Sequence, residues 1–337
     1  MERLRNILFP NRLNGAITIA ILALVLSAAP GVLRFLVLDA VFTGGVEACR
    51  AADGACWPFI GAKLGQFIYG YYPDDERWRV DLVFLLGVAG LAGLMIPRVP
   101  KKRLIAIIMA SAYPILALWL LAAVPTKLWG GLLVTLIVSA AGTAGAFPLG
   151  ILLALGRRSA LPVIRYVSIA FIELWRGVPL VTVLFMASVM LPLFLPEGVT
   201  FDLLLRCIIG VTLFAGANMA EIIRGGLQAI PRGQYEAASA LGLGYWQSMG
   251  LVILPQALRL VIPGLVGSII ALFKDTTLVL IVGLADFLGV IQRNLNDPAW
   301  SAPGTAATAY VFAALIFWLF CFGLSRYAKS LEREERR

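Results

Sequence analysis

Long, uninterrupted apolar runs separated by short polar segments dominate this chain. A helix needs about 20 apolar residues to cross a bilayer, and eight runs reach or approach that length. They predict spans over Asn14–Leu33, Asp81–Ile96, Leu104–Val124, Leu128–Leu155, Val178–Leu195, Leu203–Ile223, Leu260–Leu284 and Thr305–Ser325. The second is short and is ended by Pro97. A membrane barrel would instead show segments of about 10 residues with alternating polarity. The expected fold is an all-α polytopic membrane protein with eight transmembrane helices. The first run is no cleavable signal: it is long, and Arg34 follows it rather than a small-residue cleavage site.

The polar positions between the runs set the orientation. Lys and Arg collect on the cytoplasmic side of membrane helices. With the N-terminus inside, the inner segments hold Arg3, Arg5 and Arg12, then Arg98, Lys101, Lys102 and Arg103, then Arg157, Arg158, Arg165 and Arg176. Arg224, Arg232 and Arg259 follow, and the tail adds Arg326, Lys329, Arg333, Arg336 and Arg337. Nineteen of the 28 basic residues therefore lie inside. The outer segments carry Asp39, Glu47, Asp53, Asp74, Asp75, Glu76, Glu197 and Asp297. Both termini are expected in the cytoplasm.

Composition agrees. The chain is 60% hydrophobic and 14% charged, against about 25% charge in soluble domains, and its mean hydropathy is +0.89. The net charge of +9 follows from the inward bias and calls for no nucleic-acid partner. The absence of histidine excludes Ser-His-Asp and Cys-His catalysis and His-ligated zinc; no metal site and no enzymatic activity are expected. No G-x-x-x-x-G-K-[ST] run occurs, so ATP would have to be bound by another chain. The longest outer loop, residues 39–79, holds Cys49 and Cys56. An oxidising compartment permits their disulfide, with two separate thiols as the alternative. Cys207 and Cys321 lie within spans as small packing residues.

One polar inner segment, residues 226–258, has a distinctive pattern. Glu236-Ala237-Ala238 is followed by three residues, Gly242, nine residues, and Val252-Ile253-Leu254-Pro255. Pro231 suits a first helical turn. Gln234–Leu241 is rich in helix formers, and Gly242 fits the position just past a helix end, where positive φ favours glycine. Tyr245–Leu254 predicts a second helix stopped by Pro255. The alanines allow a partner to come close, and Tyr235, Tyr245 and Trp246 are anchors of the kind enriched at interface hot spots. An ordinary interfacial amphipathic helix would explain the aromatics but not the spacing.

This pattern resembles the EAA loop of permease subunits of bacterial ABC importers, with Val252 in place of the usual isoleucine. Phe171–Leu180, with Glu173 and Arg176, and Ala220–Gly225, with Glu221 and Arg224, resemble two further segments of the polar amino-acid branch. Each places an acid and a base three residues apart on one helix face, as a local ion pair at the membrane interface or as part of a cytoplasmic gate. The resemblance implies the type I ABC importer transmembrane fold. Residues 126–337 would form a five-helix core, and residues 1–125 an addition of three helices with the outer loop. It implies a role for Tyr235, Glu236, Ala237, Ala238, Gly242, Tyr245, Leu254 and Pro255 in coupling to the ATPase. It also implies the partners: a second permease, identical or, as the N-terminal addition favours, homologous and different, two ATPase subunits holding ATP and Mg, and a periplasmic protein delivering an amino acid for import across the bacterial inner membrane. ATP-driven closure of the ATPases would pull the coupling helices together and turn the bundles outward.

Lys274-Asp275-Thr276-Thr277 interrupts the seventh span and resembles a segment of the same branch. Charges inside a membrane helix are costly and mark functional or paired sites. Lys274 and the hydroxyls suit a substrate carboxylate and Asp275 an ammonium, with Asn218 a further polar residue on a pore-candidate helix; an internal Lys–Asp pair is the alternative. Small residues at Gly142/Gly145 and Gly264/Gly267 would permit close helix packing. An ion-coupled secondary transporter using Asp275 and Asp286 is the competing function, and it would leave the EAA spacing unexplained.

Overall fold

The computed structural model describes residues 11–96, 99–194, 196 and 201–335. Pro97, Leu195, Glu197 and the orienting charges Arg3, Arg5, Arg98, Arg336 and Arg337 lie outside the described residues. The described residues contain no strand. Their α-helices are α1 Arg12–Leu33, α2 Val46–Arg50, α3 Trp57–Tyr69, α4 Arg77–Met95, α5 Lys102–Ala110, α6 Ala112–Leu121, α7 Gly131–Arg157, α8 Pro162–Gly177 and α9 Leu180–Phe185. They continue with α10 Leu203–Ala229, α11 Arg232–Ala240, α12 Tyr245–Ser248, α13 Leu254–Asp275, α14 Phe287–Leu295 and α15 Thr305–Glu335.

Six helical segments among them are long and apolar enough to span a membrane, or up to eight if each of two bent pairs is one span. The bent pairs fall where single straight spans were expected. The third run breaks by 40° between α5 and α6, because Pro114 has no N–H and crowds the carbonyl of Ala110. At the fifth, α8 and the segment Leu180–Phe194 meet at 105°. Val178, extended ahead of Pro179 (φ −107°, ψ 134°), ends α8. The expected single span Val178–Leu195 is corrected to a short α9 followed by π and 3₁₀ turns.

The chain divides into two compact units, one reaching to Leu64 and including Gln292–Ala314, the other holding Gly65–Ile291 and Leu315 onward. In the first, Cys49 and Cys56 are joined by a disulfide. Around it Lys63 Nζ meets Asp297 Oδ2 at 2.7 Å, Arg50 Nε donates to Ser301 O at 3.1 Å, and Cys56 N donates to Thr308 Oγ1 at 2.8 Å. The hydrogen bond from Lys63, then that from Ala299 N–H, holds the Asp297 carboxyl below its ordinary range.

In the second unit, α7 and α10 form the central seam. A Cβ at Gly142 would meet Val211 at 2.7 Å, one at Gly145 would meet Thr212 at 2.8 Å, and one at Gly216 would meet Leu149 at 2.7 Å. These glycines therefore bring the two backbones together, which is how membrane helices gain dispersion contacts without a hydrophobic driving force. Of the other expected pair, a Cβ at Gly264 would meet Ile222 at 3.1 Å, whereas one at Gly267 would meet nothing within 4 Å. Val134, Val138, Ala146, Val211, Ala215, Met219, Leu265 and Leu272 form the buried core around this seam.

Candidate functional site

The end of α10 and the two short helices after it build the site. Ile230 and Pro231 are extended (ψ 125° and 144°) and turn the chain out of α10. The nine residues of α11 then end in a paired cap. Gly242 N donates to Ser239 O at 2.9 Å and Leu243 N to Ala238 O at 3.2 Å, with Gly242 at φ +75°. This is the Schellman arrangement, in which the left-handed residue satisfies the last carbonyls. Gln247 Oε1 accepts from Gly244 N at 3.1 Å and starts α12. The expected second helix is corrected at its end. Pro255 does not stop it; the chain passes through a π turn, Met249–Ile253, and Pro255 lies in the first turn of α13, where a missing N–H costs nothing.

The expected coupling residues separate into two sets. Glu236, Ala237, Ala240, Gly242, Tyr245 and Trp246 are exposed, as is Leu241 at 78%. Tyr245 and Trp246 stand edge-to-face with centroids 5.2 Å apart. Ala238 is 2% exposed, so its small side chain serves the packing of its own chain and not a partner's approach. Tyr235 and Leu254 pack on the core. Tyr235 is thus an internal anchor, correcting its expected place among the surface aromatics. Gln256 Nε2 donates to Gln234 Oε1 at 3.0 Å and to Val252 O at 2.9 Å, closing the loop on itself.

Behind this surface lies an ion cluster. Glu221, with a side chain 16% exposed, meets Arg157 at 2.7 Å, Arg224 at 2.9 Å and Arg176 at 3.7 Å. The expected pairing of Glu221 with Arg224 is present. The expected pairing of Glu173 with Arg176 is not: Glu173 meets Arg157 at 3.0 Å, and Arg176 turns to Glu221. The reason is charge number, since Arg157 brings a cation from α7 between the two acids. The cluster therefore fastens α7, α8 and α10 together. From sequence Arg157 and Arg158 count only as inward-lying charges, and the helix face that carries Glu173 and Arg176 gives no sign that α8 begins as early as Pro162. Pro162 in the first turn was its available signal.

The membrane-embedded candidates take different roles. α13 ends at Asp275 and gives way to the 3₁₀ segment Thr276–Val282, so the Lys274–Thr277 stretch marks a change of helix type. Thr276 Oγ1 donates to Phe273 O at 2.7 Å, Thr277 Oγ1 to Lys274 O at 2.9 Å and Asn218 Nδ2 to Phe214 O at 3.1 Å. Each of these donors is held by a backbone carbonyl three or four residues earlier in the chain. Consecutive side chains leave a helix about 100° apart, and Lys274 and Asp275 form no ion pair with each other. Asp286 caps α14, accepting from Leu288 N at 3.2 Å and Gly289 N at 2.9 Å.

Residues 146–337 match the family of binding-protein-dependent transport system inner membrane components. This chain belongs to that family. It is a permease subunit, a transport component whose ATPase is a separate chain. It is 51% identical to the inner membrane amino-acid ABC transporter permease protein YhdY of Escherichia coli (strain K12), over 99% of this chain and 92% of that protein. It is 39% identical to the glutamate/glutamine/aspartate/asparagine transport system permease protein BztC of Rhodobacter capsulatus, over 99% of this chain and 93% of that protein. Among solved structures, an amino acid ABC transporter crystallised with histidines matches with TM-score 0.53 and 27% identity, over 60% of this chain and 92% of that one. The permease therefore has a type I importer-like helical fold.

Proposed function

We propose that this permease serves an ATP-driven amino-acid importer in a bacterial inner membrane. In this reading it crosses the bilayer eight times, each bent pair counting once, with both termini inside. Residues 126–337 carry the translocation core and residues 1–125 the added helices and outer loop. A second permease, homologous but different, stands beside it. Two ATPase subunits bind ATP and Mg below, and a periplasmic binding protein delivers substrate above. The amino-acid class rests on the named transport roles of the relatives. The observation that carries the coupling role is the helix–turn–helix of α11 and α12, which presents Glu236, Ala237, Ala240, Leu241, Tyr245 and Trp246 outward from the arginine-rich side. An exposed aromatic and apolar face of this kind fits a cleft on a partner protein. The test is uptake of labelled amino acids into proteoliposomes. The full complex should require ATP and binding protein, and this chain alone should transport nothing. Uptake by the chain alone would overturn the reading.

Lys274 and Asp275, charged and without a mutual pair at the junction of α13 with its 3₁₀ continuation, are proposed to line the substrate path with Asn218, Thr276 and Thr277. A hydrogen bond to a charged group contributes about 1.5–3 kcal/mol. Lys274→Ala or Asp275→Asn should therefore raise the KM for uptake by roughly tenfold or more. Unchanged KM across the amino acids transported would remove both residues from the path.

A further inference from the structure

We infer that Arg158 is the positioning residue that carries motion of the coupling helix α11 into the ion cluster around Glu221. The inference rests on the docking role proposed above and adds the route by which force leaves the docked helix.

The route starts from a missing donor. Leu227 lies in the last turn of α10, where its carbonyl would accept from the amide four residues on. That residue is Pro231, which has no N–H. The orphaned Leu227 oxygen is satisfied from outside the helix: Arg158 Nη1 donates to it at 2.9 Å, and Tyr235 Oη donates to it at 3.2 Å. Arg158 Nη1 also donates to Tyr235 Oη at 3.0 Å, with its guanidinium carbon 5.6 Å from the centre of the Tyr235 ring. One residue of α11, one of α10 and the cap of α7 thus close a ring. The end of α10 at Ala229 leaves this carbonyl without a helical donor, Pro231 has no N–H to offer it, and the side chains that hold α11 take that place.

Two openings flank this ring. A cavity of about 350 Å³ is lined by Leu155, Arg158, Tyr235, Leu243 and Met249 among others. A second, of about 440 Å³, is lined by Arg158, Leu227, Ile230, Tyr235 and Glu236 among others. Arg158 and Tyr235 line both openings, so their contact borders open space on two sides while the Tyr235 ring rests on the core.

The far side of the bridge is the preceding residue. Arg157 Nη1 reaches Glu173 at 3.0 Å and Glu221 at 2.7 Å. Arg157 ends α7 and Arg158 caps it, so one peptide unit joins the coupling helix to the cluster that fastens α7, α8 and α10. A displacement of Tyr235 pulls Arg158, and with it the end of α7 that holds Glu221 and Glu173. Lysine is a poor replacement: both bonds leave one nitrogen of a rigid planar group whose N–H directions are fixed, and the same plane lies near the Tyr235 ring, whereas an ammonium acts as a rotating point charge.

The test uses the complete importer in proteoliposomes, with amino acid transported per ATP hydrolysed as the readout. Copurification of all subunits and disulfide cross-linking from Glu236→Cys to the ATPase are followed in parallel. Arg158→Gln should leave cross-linking intact and lower the amount transported per ATP by about fivefold or more, the lower end of ordinary coupling energies. Arg158→Lys should not restore it. Tyr235→Phe, which removes one oxygen and keeps the packing, should lower it in the same direction. The double variant should be no worse than Arg158→Gln, because both act through one contact. Normal transport per ATP in Arg158→Gln, or strictly multiplicative losses in the double variant, overturns the proposed route while the docking role stands. Absence of the cross-link in the Glu236→Cys complex with Arg158 and Tyr235 unaltered overturns both.

Discussion

Gly242→Val is expected to abolish ATP-driven uptake in a complex that still assembles in the membrane, and Gly242→Asn to retain most of it. The difference isolates the backbone. A Cβ at Gly242 would meet nothing within 4 Å, so neither substitution is blocked by the chain's own atoms. The obstacle is φ +75°, which costs an L-residue about 1–2 kcal/mol, with asparagine the tolerated exception and branched side chains the worst placed. Leaving that conformation also breaks the two capping bonds to Ser239 and Ala238, each worth about 1 kcal/mol. Set against this is a nine-residue helix, shorter than the length at which isolated helices hold in water. The turn then swings Tyr245 and Trp246 away from Glu236 and Ala237, and the outward face is no longer one surface. Equal uptake in the valine and asparagine variants would show that this turn does not set the face.

Glu221→Gln should destabilise the solubilised permease by about 2–4 kcal/mol, below the 3–5 kcal/mol cost of breaking a fully buried pair because its arginine partners keep some contact with water. Glu173→Gln should cost less than about 1 kcal/mol, the usual range for an exposed pair. Both are carboxylates in one cluster, but the Glu221 side chain is 16% exposed with three arginines around it, and that of Glu173 is 57% exposed with one. Removing the Glu221 charge leaves Arg157, Arg176 and Arg224 with only Glu173 to balance them. Thermal unfolding of the two variants in detergent checks the order. A larger loss for Glu173→Gln would mean that Glu221 is not the hub.

Local chemistry made part of this arrangement legible in sequence. Gly242 announced the end of α11 because few residues accept positive φ. The Lys274-Asp275 interruption coincided with the change from α to 3₁₀ geometry after Asp275. The pairing of Glu221 with Arg224 followed from a spacing of three within one helix. What sequence did not disclose depended on distant residues. Arg157 and Arg158 find partners 64 and 77 positions away, and no local pattern specifies such a distance. Glu173 lost its expected neighbour Arg176 for the same reason, because a cation on α7 came between them. Pro255 misled because a proline is equally at home after a helix and in the first turn of the next. Tyr235 looked like Tyr245 in sequence; its bonds to the Leu227 carbonyl and Arg158 and its packing on the core, all with residues of other elements, separate the inner anchor from the outer one.

The most direct measurement places single cysteines along α11 and α12 in the assembled importer and cross-links them to the ATPase. Cysteines at Glu236, Ala237, Ala240 and Trp246 should join the ATPase at high yield. Those at Ala238 and Ile253, which are buried in this chain, should not. A uniform yield along the segment, or cross-links to lipid and to no ATPase, would contradict the account.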